Sequence, residues 1–420
     1  MSQGVATIEN MFEDMTGCAA GSDESAMVAA IAALERVKSA AAAGQARLTA
    51  ALDRARRGAE AAAGVPAGRR GRGVAAEVAL ARRESPARGG RYLGLATALV
   101  GEMPHTLAAL EAGALSEWRA MLIVRESACL DREDRTRLDA ELCADARRLD
   151  GKGDAALTAA AKAIAYRLDA RAVVERNAKA SADRTVTIRP APDVMTYVTA
   201  LLPMAQGVSV YAALKREADL CCDGRSRGQV MADTLVDRVT GRPAEQAVPV
   251  AVNVVISDQA LLAGQDSAAL IGGYGPVPSA SARELIAAAL ADPGSRASLR
   301  RLYARPASGA LVALESRSRC FPKGLTDFIG LRDQRCRTPY CDAPIRHNDH
   351  ARPHRRGGPT SAANGSGLCE RCNYVKEAPG WDVRTDIDDG NTHTAYVTTP
   401  AGACYRSTAP PLPGTPPAAA

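Results

Sequence analysis

Residues 336–376 read CRTPYCDAPIRHNDHARPHRRGGPTSAANGSGLCERCNYVK, and this stretch decides how the C-terminal part of the chain folds. It contains a C-x4-C pair, Cys336 and Cys341, and a C-x2-C pair, Cys369 and Cys372. Four thiolates from two close pairs suit tetrahedral zinc, and a structural metal would stabilise a segment with so small an apolar core. The sequence therefore predicts a structural Zn²⁺ ion on these four cysteines, with two disulfides as the alternative.

The residues between the two cysteine pairs are typical of a ββα unit. A strand is predicted from Ile345 to His350, and a long polar loop follows it. A second short strand surrounds Gly367-Leu368, and a helix is predicted to start near Cys369. The zinc ion would tie the loop before the first strand to the start of this helix.

The same stretch holds the residue types that phosphodiester hydrolysis uses. The reaction needs a base that activates water, a cation that stabilises the developing charge, and a group that orients the base. His350 titrates near neutrality and would stand at the end of the first strand. Asp349 and Asn373 offer hard oxygen ligands to Mg²⁺ or another divalent cation, and Asn364 is placed to hold the imidazole. An ordinary surface or capping role is the alternative for each residue taken alone.

Positive charge is concentrated around these residues. Residues 331–376 contain nine Arg and Lys against four Asp and Glu, an excess of five within a formal net charge of +6 for the whole chain. Such an excess suggests a polyanionic partner, although solvated arginine faces are common. Contacts to DNA phosphates, which position the nucleic acid without reading its sequence, are expected from Arg346, Arg352, Arg355, Arg356 and Lys376.

The rest of the 420 residues is predominantly helical in pattern. Hydrophobic residues make up 46% of the chain and aromatic residues 4%, and alanine, the best helix former, is very abundant. A helical pattern runs from Asp23 to 181. The other predicted elements are a strand at 184–190, helices at 193–222 and 227–240, a strand at Val248–Ser257, a hairpin over 299–316 and a helix at 322–334.

The sequence also limits where the protein acts. The N-terminus, MSQGVATIEN, has no basic region followed by an apolar core, and no stretch approaches ~20 uncharged apolar residues. We therefore expect no signal peptide, no membrane span and a cytoplasmic location. The seven cysteines outside the two pairs show no framework spacing and are expected to be free thiols. Nothing in the pattern indicates an oligomeric state.

The C-terminal stretch resembles a known family of nucleases. Asp349-His350-x-x-Pro353, Gly357-Gly358-Pro359-Thr360, Asn364 and Cys369-x-x-Cys372-Asn373-x-x-Lys376 are similar to the HNH (ββα-metal) endonuclease motif with zinc knuckles, in its HNN variant. The resemblance covers about residues 331–382. It implies that His350 is the general base, that Asp349 and Asn373 bind the catalytic cation and that Asn364 orients the base. It also implies that Cys336, Cys341, Cys369 and Cys372 bind zinc.

Residues from about 25 to 290 resemble the helical domain of unknown function (the 222 type) that precedes HNH modules in many actinobacterial proteins. The likeness rests on the Ala/Leu/Arg helices, the Val248–Ser257 strand and the sequence Gly-Gly-Tyr-Gly-Pro-Val-Pro at 272–278. It implies no defined activity for this part of the chain.

The expected fold class is mainly α, with a large helical N-terminal domain that carries a few short strands and a small zinc-stabilised ββα-metal module near the C-terminus. The predicted divisions are a mobile N-terminus at 1–22, the helical domain at 23–295, a strand/helix connector at 296–330, the nuclease module at 331–385 and a C-terminal extension at 386–420, disordered from about 409.

The sequence favours a metal-dependent HNH endonuclease that hydrolyses DNA. The alternative is a non-catalytic, zinc-stabilised nucleic-acid-binding protein that has lost its reaction. A third hypothesis, from another class, is an interaction module in which the helical half recruits a partner.

Overall fold

The structure is a computed structural model, and it describes residues 23–244, 253–291, 315–316, 319–387 and 392–412. Regular structure in these residues is mostly helical, which confirms the predicted mainly α fold class. The helices, in chain order, are α1 (Glu24–Ala62), α2 (Val74–Ala81), α3 (Pro86–Gly101), α4 (Pro104–Glu111), α5 (Glu117–Ser127), α6 (Arg132–Cys143), α7 (Asp154–Leu168), α8 (Ala170–Ala180), α9 (Met204–Leu220), α10 (Arg227–Thr240), α11 (Asp258–Leu262), α12 (Ser279–Ala291), α13 (Lys323–Asp333) and α14 (Glu370–Val375).

The strands are short and form separate small sheets. They are β1 (Thr185–Pro190), β2 (Thr196–Leu201), β3 (Val254–Val255), β4 (Ala269–Ile271), β5 (Gly275–Val277), β6 (Glu315–Ser316), β7 (His347–His350), β8 (Thr360–Ser361), β9 (Gly365–Leu368), β10 (Asp382–Ile387), β11 (His393–Thr398) and β12 (Cys404–Thr408). The pairings are β1-β2, β3-β4-β5, β6-β8, β7-β9 and β10-β11-β12, and each of these pairs is antiparallel.

Two compact units divide the described residues, and neither is continuous in sequence. The first holds the residues up to Gly71 together with Arg91–Arg176, and the second holds Arg72–Gly90 together with the residues from Asn177 onward. The predicted domain boundaries stay predictions, and the predicted mobile segment 1–22 lies outside the described residues. Among the described helices none is long and apolar enough to cross a membrane alone, and α3 with α4 meets that requirement only as a pair bent by 107°.

The first unit is built around small side chains of α1. The spacing of Ile31, Leu34 and Val37 suggests an apolar face, but these side chains are exposed. The part of α1 that packs comes later in the helix, where alanines allow neighbouring helices to approach closely. The buried residues of α1 are Ser39, Ala42, Ala43, Ala46, Thr49 and Ala50. Leucines of α3, α4, α6 and α7, together with Ile123 of α5, fill much of the rest of this core.

Two sequence predictions, one in each unit, had different outcomes. Ser116 directly precedes a helical run, which predicts an N-cap, and its side chain does cap α5 by accepting a hydrogen bond from the Arg119 backbone N–H at 3.3 Å. The helix predicted to begin at 193 is wrong at its start, because residues 196–201 form strand β2 and α9 begins only at Met204. The run Thr-Tyr-Val-Thr at 196–199 is rich in β-branched and aromatic side chains, which favour a strand. Residues 248–252 of the predicted Val248–Ser257 strand, and all of the predicted hairpin over 299–316 except 315–316, lie outside the described residues, and within the rest of that strand Val254–Val255 forms β3.

The C-terminal module has an apolar core that the N-terminal half helps to build. Trp381, 8% exposed, packs with Val397 of β11 and with Ala76 and Leu80 of α2. Gly73, with a φ of 96°, precedes α2, and a Cβ on it would lie 2.5 Å from Trp381 Nε1. Only glycine therefore fits at this position.

Three buried charged side chains fix the module to its neighbours. Arg332 donates to both carboxylate oxygens of Asp333 at 2.7 and 2.9 Å, and Arg337 Nε lies 3.6 Å from the same carboxylate. Asp333 in turn accepts from the Gly367 backbone N–H at 2.7 Å. The guanidinium of Arg332 also donates to the carbonyl of Gly365 at 2.7 Å, and that of Arg337 donates to the carbonyl of His393 at 3.1 Å. We call Arg332, Asp333 and Arg337 the buried charge triad.

Residues 392–412 carry structure that the sequence analysis did not predict. Strands β11 and β12 join β10 in one antiparallel sheet, and Ala409 and Leu412, at the start of the predicted disordered tail, are buried. His393, the first residue of β11, is 3% exposed, and its Nε2 lies 3.0 Å from the Ala363 carbonyl. Burial, assisted by the charge of Arg332, lowers the pKa of His393 from 6.5 to about 4.

Asp333→Asn should strongly destabilise the protein. The substitution leaves two buried guanidinium groups without their carboxylate, and breaking a buried ion pair in this way costs about 3–5 kcal/mol. Urea denaturation followed by tryptophan fluorescence measures the change. Asp327→Asn is the matched control on the same helix, because Asp327 pairs with Lys323 at the surface, where such pairs contribute about 0–1 kcal/mol. Equal effects of the two substitutions would contradict the structural role of the triad.

The low pKa of His393 should make stability depend on pH. Between pH 6.5 and 4 the unfolded chain binds a proton that the folded chain does not, so the free energy of unfolding decreases as the pH falls through this window. The full loss amounts to about 3 kcal/mol, and it is absent above pH 6.5. His393→Gln should remove this component, which thermal denaturation of both proteins at several pH values would measure. Parallel pH profiles for the two proteins would contradict it.

Candidate metal centre and active site

The four paired cysteines form one compact buried cluster. All four sulfur atoms lie within 4.8 Å of one another. The Sγ atoms of Cys341 and Cys369 are 3.8 Å apart, and those of Cys372 and Cys341 are 3.7 Å apart. Cys369 is the N-cap of α14, and its sulfur accepts from the Cys372 backbone N–H at 3.5 Å. The cluster thus joins the loop before β7 to the start of α14, as the sequence predicts.

The cluster geometry suits a tetrahedral metal ion such as zinc. With Zn–S bonds of about 2.3 Å, the sulfur atoms of a tetrahedral site lie about 3.8 Å apart, which matches the separations observed here. Hydrogen bonds among the thiols shift the pKa values of the cluster. The largest effect comes from Cys336, whose hydrogen bonds lower the pKa of Cys369 and raise the pKa of Cys372. A divalent cation would remove the repulsion that opposes ionisation of all four. Each of the four cysteines is a free thiol, so the disulfide alternative is not what the structure contains.

His350 lies at the end of β7, opposite Gly365 of β9. Its side chain is almost fully buried, and its Nε2 lies 2.8 Å from the hydroxyl of Thr360. The ring of Phe321 packs against the imidazole with centroids 4.7 Å apart. Burial lowers the pKa of His350 below its ordinary value, although the charge of Asp349 opposes this effect. The imidazole is therefore held in a fixed position and in its neutral form at pH 7.

Asp349 pairs with Lys376. The ammonium of Lys376 lies 3.0 Å from Asp349 Oδ2 and donates to the backbone carbonyl of His350 at 3.0 Å. Asp349 Oδ1 lies 3.6 Å from His350 Nδ1, too far for a hydrogen bond. Burial acts to raise the pKa of Asp349, but the hydrogen bond and the charge of Lys376 outweigh it and hold this pKa below its ordinary value. Asp349 is thus ionised and about one-third exposed at the site.

Asn364 fixes the loop that follows β7. Its amide nitrogen donates to the carbonyls of Arg352 and Pro359 at 3.0 and 2.8 Å, and its Oδ1 accepts from the Arg352 backbone N–H at 2.8 Å. The backbone of Gly358 packs closely against that of Arg352. A Cβ at position 358 would lie 1.9 Å from the Arg352 carbonyl oxygen, so glycine is required there. Asn364 therefore acts on the backbone next to His350, and the group that contacts the imidazole is the hydroxyl of Thr360.

Asn373 stands on α14, directly after Cys372. Its Oδ1 atom is buried and has no hydrogen-bond partner within the described residues. A buried amide oxygen without a donor is costly, and a cation ligand would satisfy it. This feature is compatible with the metal-binding role that the sequence predicts for Asn373.

The predicted phosphate contacts fall into two groups. Arg346, Arg352, Arg355 and Arg356 are exposed, and Arg355 pairs with Glu377 at 2.9 Å. The Lys376 side chain is only 6% exposed and faces Asp349. The buried charge triad also accounts for two arginines of the basic stretch, so less of its positive charge faces solvent than the sequence suggests.

The sequence analysis assigns no role to Phe321 and includes Thr360 only as part of the motif. Both side chains position the imidazole. Gly365 leaves space for Phe321, since a Cβ on it would lie 2.7 Å from the Phe321 ring. The sequence offers no signal for Phe321, which is 29 residues from His350 along the chain. An apolar cavity of about 30 Å³ next to Trp381 has room only for water-sized molecules, so it is not a substrate site.

Fold and site together define a mainly helical chain with a C-terminal four-cysteine metal-binding cluster. Residues 21–333 match the family described as Domain of unknown function (DUF222). This match spans most of the 420 residues, and the chain belongs to the DUF222 family. The family resemblance predicted for residues 25–290 is thereby confirmed, and the match extends through α13. Searches among curated proteins and among solved structures gave no match.

Cys372→Ser should abolish metal retention. Removing one of four thiolates leaves an incomplete tetrahedral site, so we expect the zinc content to fall from about one ion per chain to a small fraction of that value. Elemental analysis of the purified protein measures it. Cys404→Ser is the matched control, because Cys404 is an exposed free thiol of the same unit and should leave the metal content unchanged. Equal zinc content in Cys372→Ser and wild type would contradict the four-cysteine site.

Proposed function

We propose that this protein is a metal-dependent endonuclease of the HNH type that hydrolyses phosphodiester bonds in DNA. The observation that carries the proposal is the placement of His350, neutral and fixed by Thr360, at the end of β7 and beside Asp349. The pair β7-β9, followed by α14, supplies a ββα arrangement around it, and the four-cysteine cluster ties the arrangement together.

His350 is the general base in this proposal. When Nε2–H donates to the Thr360 hydroxyl, the lone pair of the neutral imidazole is on Nδ1. Nδ1 then accepts the proton of the attacking water as the bond to phosphorus forms. The lowered pKa keeps the base unprotonated at neutral pH. Asn364 supports it by fixing the loop backbone on the C-terminal side of His350.

Asp349 and Asn373 are the residues that would hold the divalent cation. Asp349 supplies an ionised carboxylate, and the buried Oδ1 of Asn373 supplies a neutral oxygen without a hydrogen-bond partner among the described residues. Mg²⁺ prefers such hard ligands, and when bound it stabilises negative charge on the phosphate and the leaving oxygen. The zinc on the four cysteines has a structural role only.

DNA binding is assigned to the exposed arginines around the site. Arg346, Arg352, Arg355 and Arg356 lie on β7-flanking segments and on the loop after His350, where their positive charge faces solvent. Contacts of this kind to phosphates position a duplex without selecting its sequence. Lys376 acts differently, because its ammonium holds Asp349 instead of facing solvent.

A second function, nucleic-acid binding without catalysis, is favoured by one specific observation. Lys376 already neutralises Asp349 at 3.0 Å and thereby occupies one oxygen of the carboxylate that the cation requires. If this pair persists when nucleic acid binds, the site would bind DNA and leave it intact. Measuring DNA binding and plasmid nicking by the same protein distinguishes the two functions.

His350→Ala should lower the rate of plasmid nicking in Mg²⁺ by at least about 100-fold, the usual contribution of a general base. Zinc content and circular dichroism should stay at wild-type values, which separates lost chemistry from lost folding. His347→Ala, a change on the same strand, is the matched control and should keep nearly full activity.

Cleavage by His350→Ala at the wild-type rate would end the proposed mechanism. A wild-type protein that binds DNA in a mobility-shift assay but does not cut it in Mg²⁺ or Mn²⁺ would establish the binding function in its place.

A further inference from the structure

Four ionised side chains beside the candidate active site form a row of alternating charge. The guanidinium of Arg355 lies 2.9 Å from Glu377 Oε2. The other oxygen of Glu377, Oε1, lies 2.9 Å from the ammonium of Lys376, which in turn lies 3.0 Å from Asp349 Oδ2. We call these four residues the ion-pair row. It connects an arginine assigned to DNA phosphates with the carboxylate assigned to the divalent cation.

The ion-pair row is exposed at Arg355 and buried at Lys376. The side chain of Arg355 keeps 70% of its surface in solvent, that of Glu377 keeps 40% and that of Lys376 keeps 6%. Exposed ion pairs are weak and readily exchange one anion for another, whereas a buried ammonium must keep its acceptors. A phosphate from solution can therefore contact Arg355 directly but reaches Lys376 only through its partners.

The ammonium of Lys376 uses all three of its N–H donors. It donates to the backbone carbonyl of His350 at 3.0 Å, and the carboxylates of Asp349 and Glu377 take the other two donors. Asp349 and Glu377 thus share one buried cation. Because each carboxylate draws the ammonium away from the other, a change that strengthens the pair of Lys376 with Glu377 weakens the pair of Lys376 with Asp349.

Lys376 and a divalent cation compete for Asp349. Both are positively charged and both are attracted to the same ionised carboxylate, so each one raises the cost of placing the other beside it. The buried Oδ1 of Asn373 offers the cation a neutral oxygen, which does not offset the charge of the ammonium. Release of Asp349 by Lys376 therefore favours cation binding, and Glu377 keeps the released ammonium paired.

We infer that the ion-pair row couples the binding of DNA to the binding of the divalent cation. A phosphate that takes Arg355 leaves Glu377 with Lys376 as its remaining partner in the row. The ammonium then shifts towards Glu377, and Asp349 is released to the cation. This coupling rests on the proposed function, because it uses the cation site at Asp349 and the phosphate contact at Arg355. Binding linkage is reciprocal, so the cation strengthens DNA binding by the same factor.

Titrations of the zinc-loaded full chain with Mn²⁺, with and without a short DNA duplex, test the coupling. His350→Ala is the parent protein, because it should not cut the duplex during the measurement. Electron paramagnetic resonance measures free Mn²⁺, and a titration of the duplex alone corrects for Mn²⁺ held by DNA. The duplex should lower the Mn²⁺ dissociation constant of the parent by about 10-fold or more, and Mn²⁺ should lower the dissociation constant of the duplex by the same factor.

Two substitutions in the row, each made in the parent, should remove the coupling and shift the Mn²⁺ affinity in opposite directions. Lys376→Met removes the competing ammonium, so without duplex Mn²⁺ should bind about 10-fold more tightly or better. Glu377→Gln leaves the ammonium on Asp349, so Mn²⁺ should bind more weakly, and the enhancement by the duplex should fall to about 2-fold or less. Glu370→Gln, which neutralises an exposed carboxylate of α14 outside the row, is the matched control and should keep the enhancement of the parent. Zinc content and circular dichroism check that each variant is folded.

An enhancement that Glu377→Gln leaves at the value of the parent would overturn the inference, since DNA would then act on the cation without the ion-pair row. So would a Lys376→Met variant with the Mn²⁺ affinity of the parent, because the ammonium would then not compete for Asp349. In both cases Mn²⁺ still binds, and the cation site of the proposed function stands. If neither the parent nor Lys376→Met binds Mn²⁺, that cation site fails together with the coupling.

Discussion

The contact between the buried charge triad and strand β9 is the constraint on which the C-terminal module depends. His350 lies in a sheet of only two strands, β7 and β9. The edge of β9 that faces away from β7 has no strand beside it within the described residues. Side chains and one backbone group replace that strand: Asp333 accepts from the Gly367 N–H, the Arg337 N–H donates to the Gly367 carbonyl, and Arg332 donates to the Gly365 carbonyl. An unpaired edge would leave these groups buried without partners, at a cost that a module of this size has little core to offset.

The sequence predicted the metal cluster and the order of strands, loop and helix well, because these follow from short spacings. Cysteines separated by two or by four intervening residues can bind one metal ion together, and the structure brings the four sulfur atoms together. The triad could not be recognised in the same way. By composition Arg332 and Arg337 belong to the basic excess of residues 331–376, and their burial depends on the carbonyls of Gly365 and His393, which are distant in sequence.

The glycines of strand β9 show the same limit of prediction from sequence. The Gly365-Ser366-Gly367 run is a poor strand by propensity, yet it is fully buried in the structure. A Cβ on Gly367 would lie 2.5 Å from Ile345, and one on Gly365 would lie 2.6 Å from Ile329. The glycines are thus required by close packing of neighbouring side chains, which is a tertiary property that local propensity does not contain. The C-terminal strands β11 and β12 went unpredicted for a related reason. Buried residues alternate with half-buried ones in β11, and exposed residues with half-buried ones in β12, and this burial depends on the assembled sheet.

The packing of α2 against Trp381 sets an order of events during synthesis. Ala76 and Leu80 leave the ribosome early, but the tryptophan that covers them follows about 300 residues later, which at normal translation rates means a delay on the order of 15–60 seconds. During this interval the face of α2 that packs on Trp381 has no permanent neighbour, and the cysteine pairs have not yet been synthesised. The module therefore completes its core, and any chemistry it performs, only after Trp381 and Val397 have been synthesised. An isolated fragment that begins near residue 331 would lack this wall of the core from the outset.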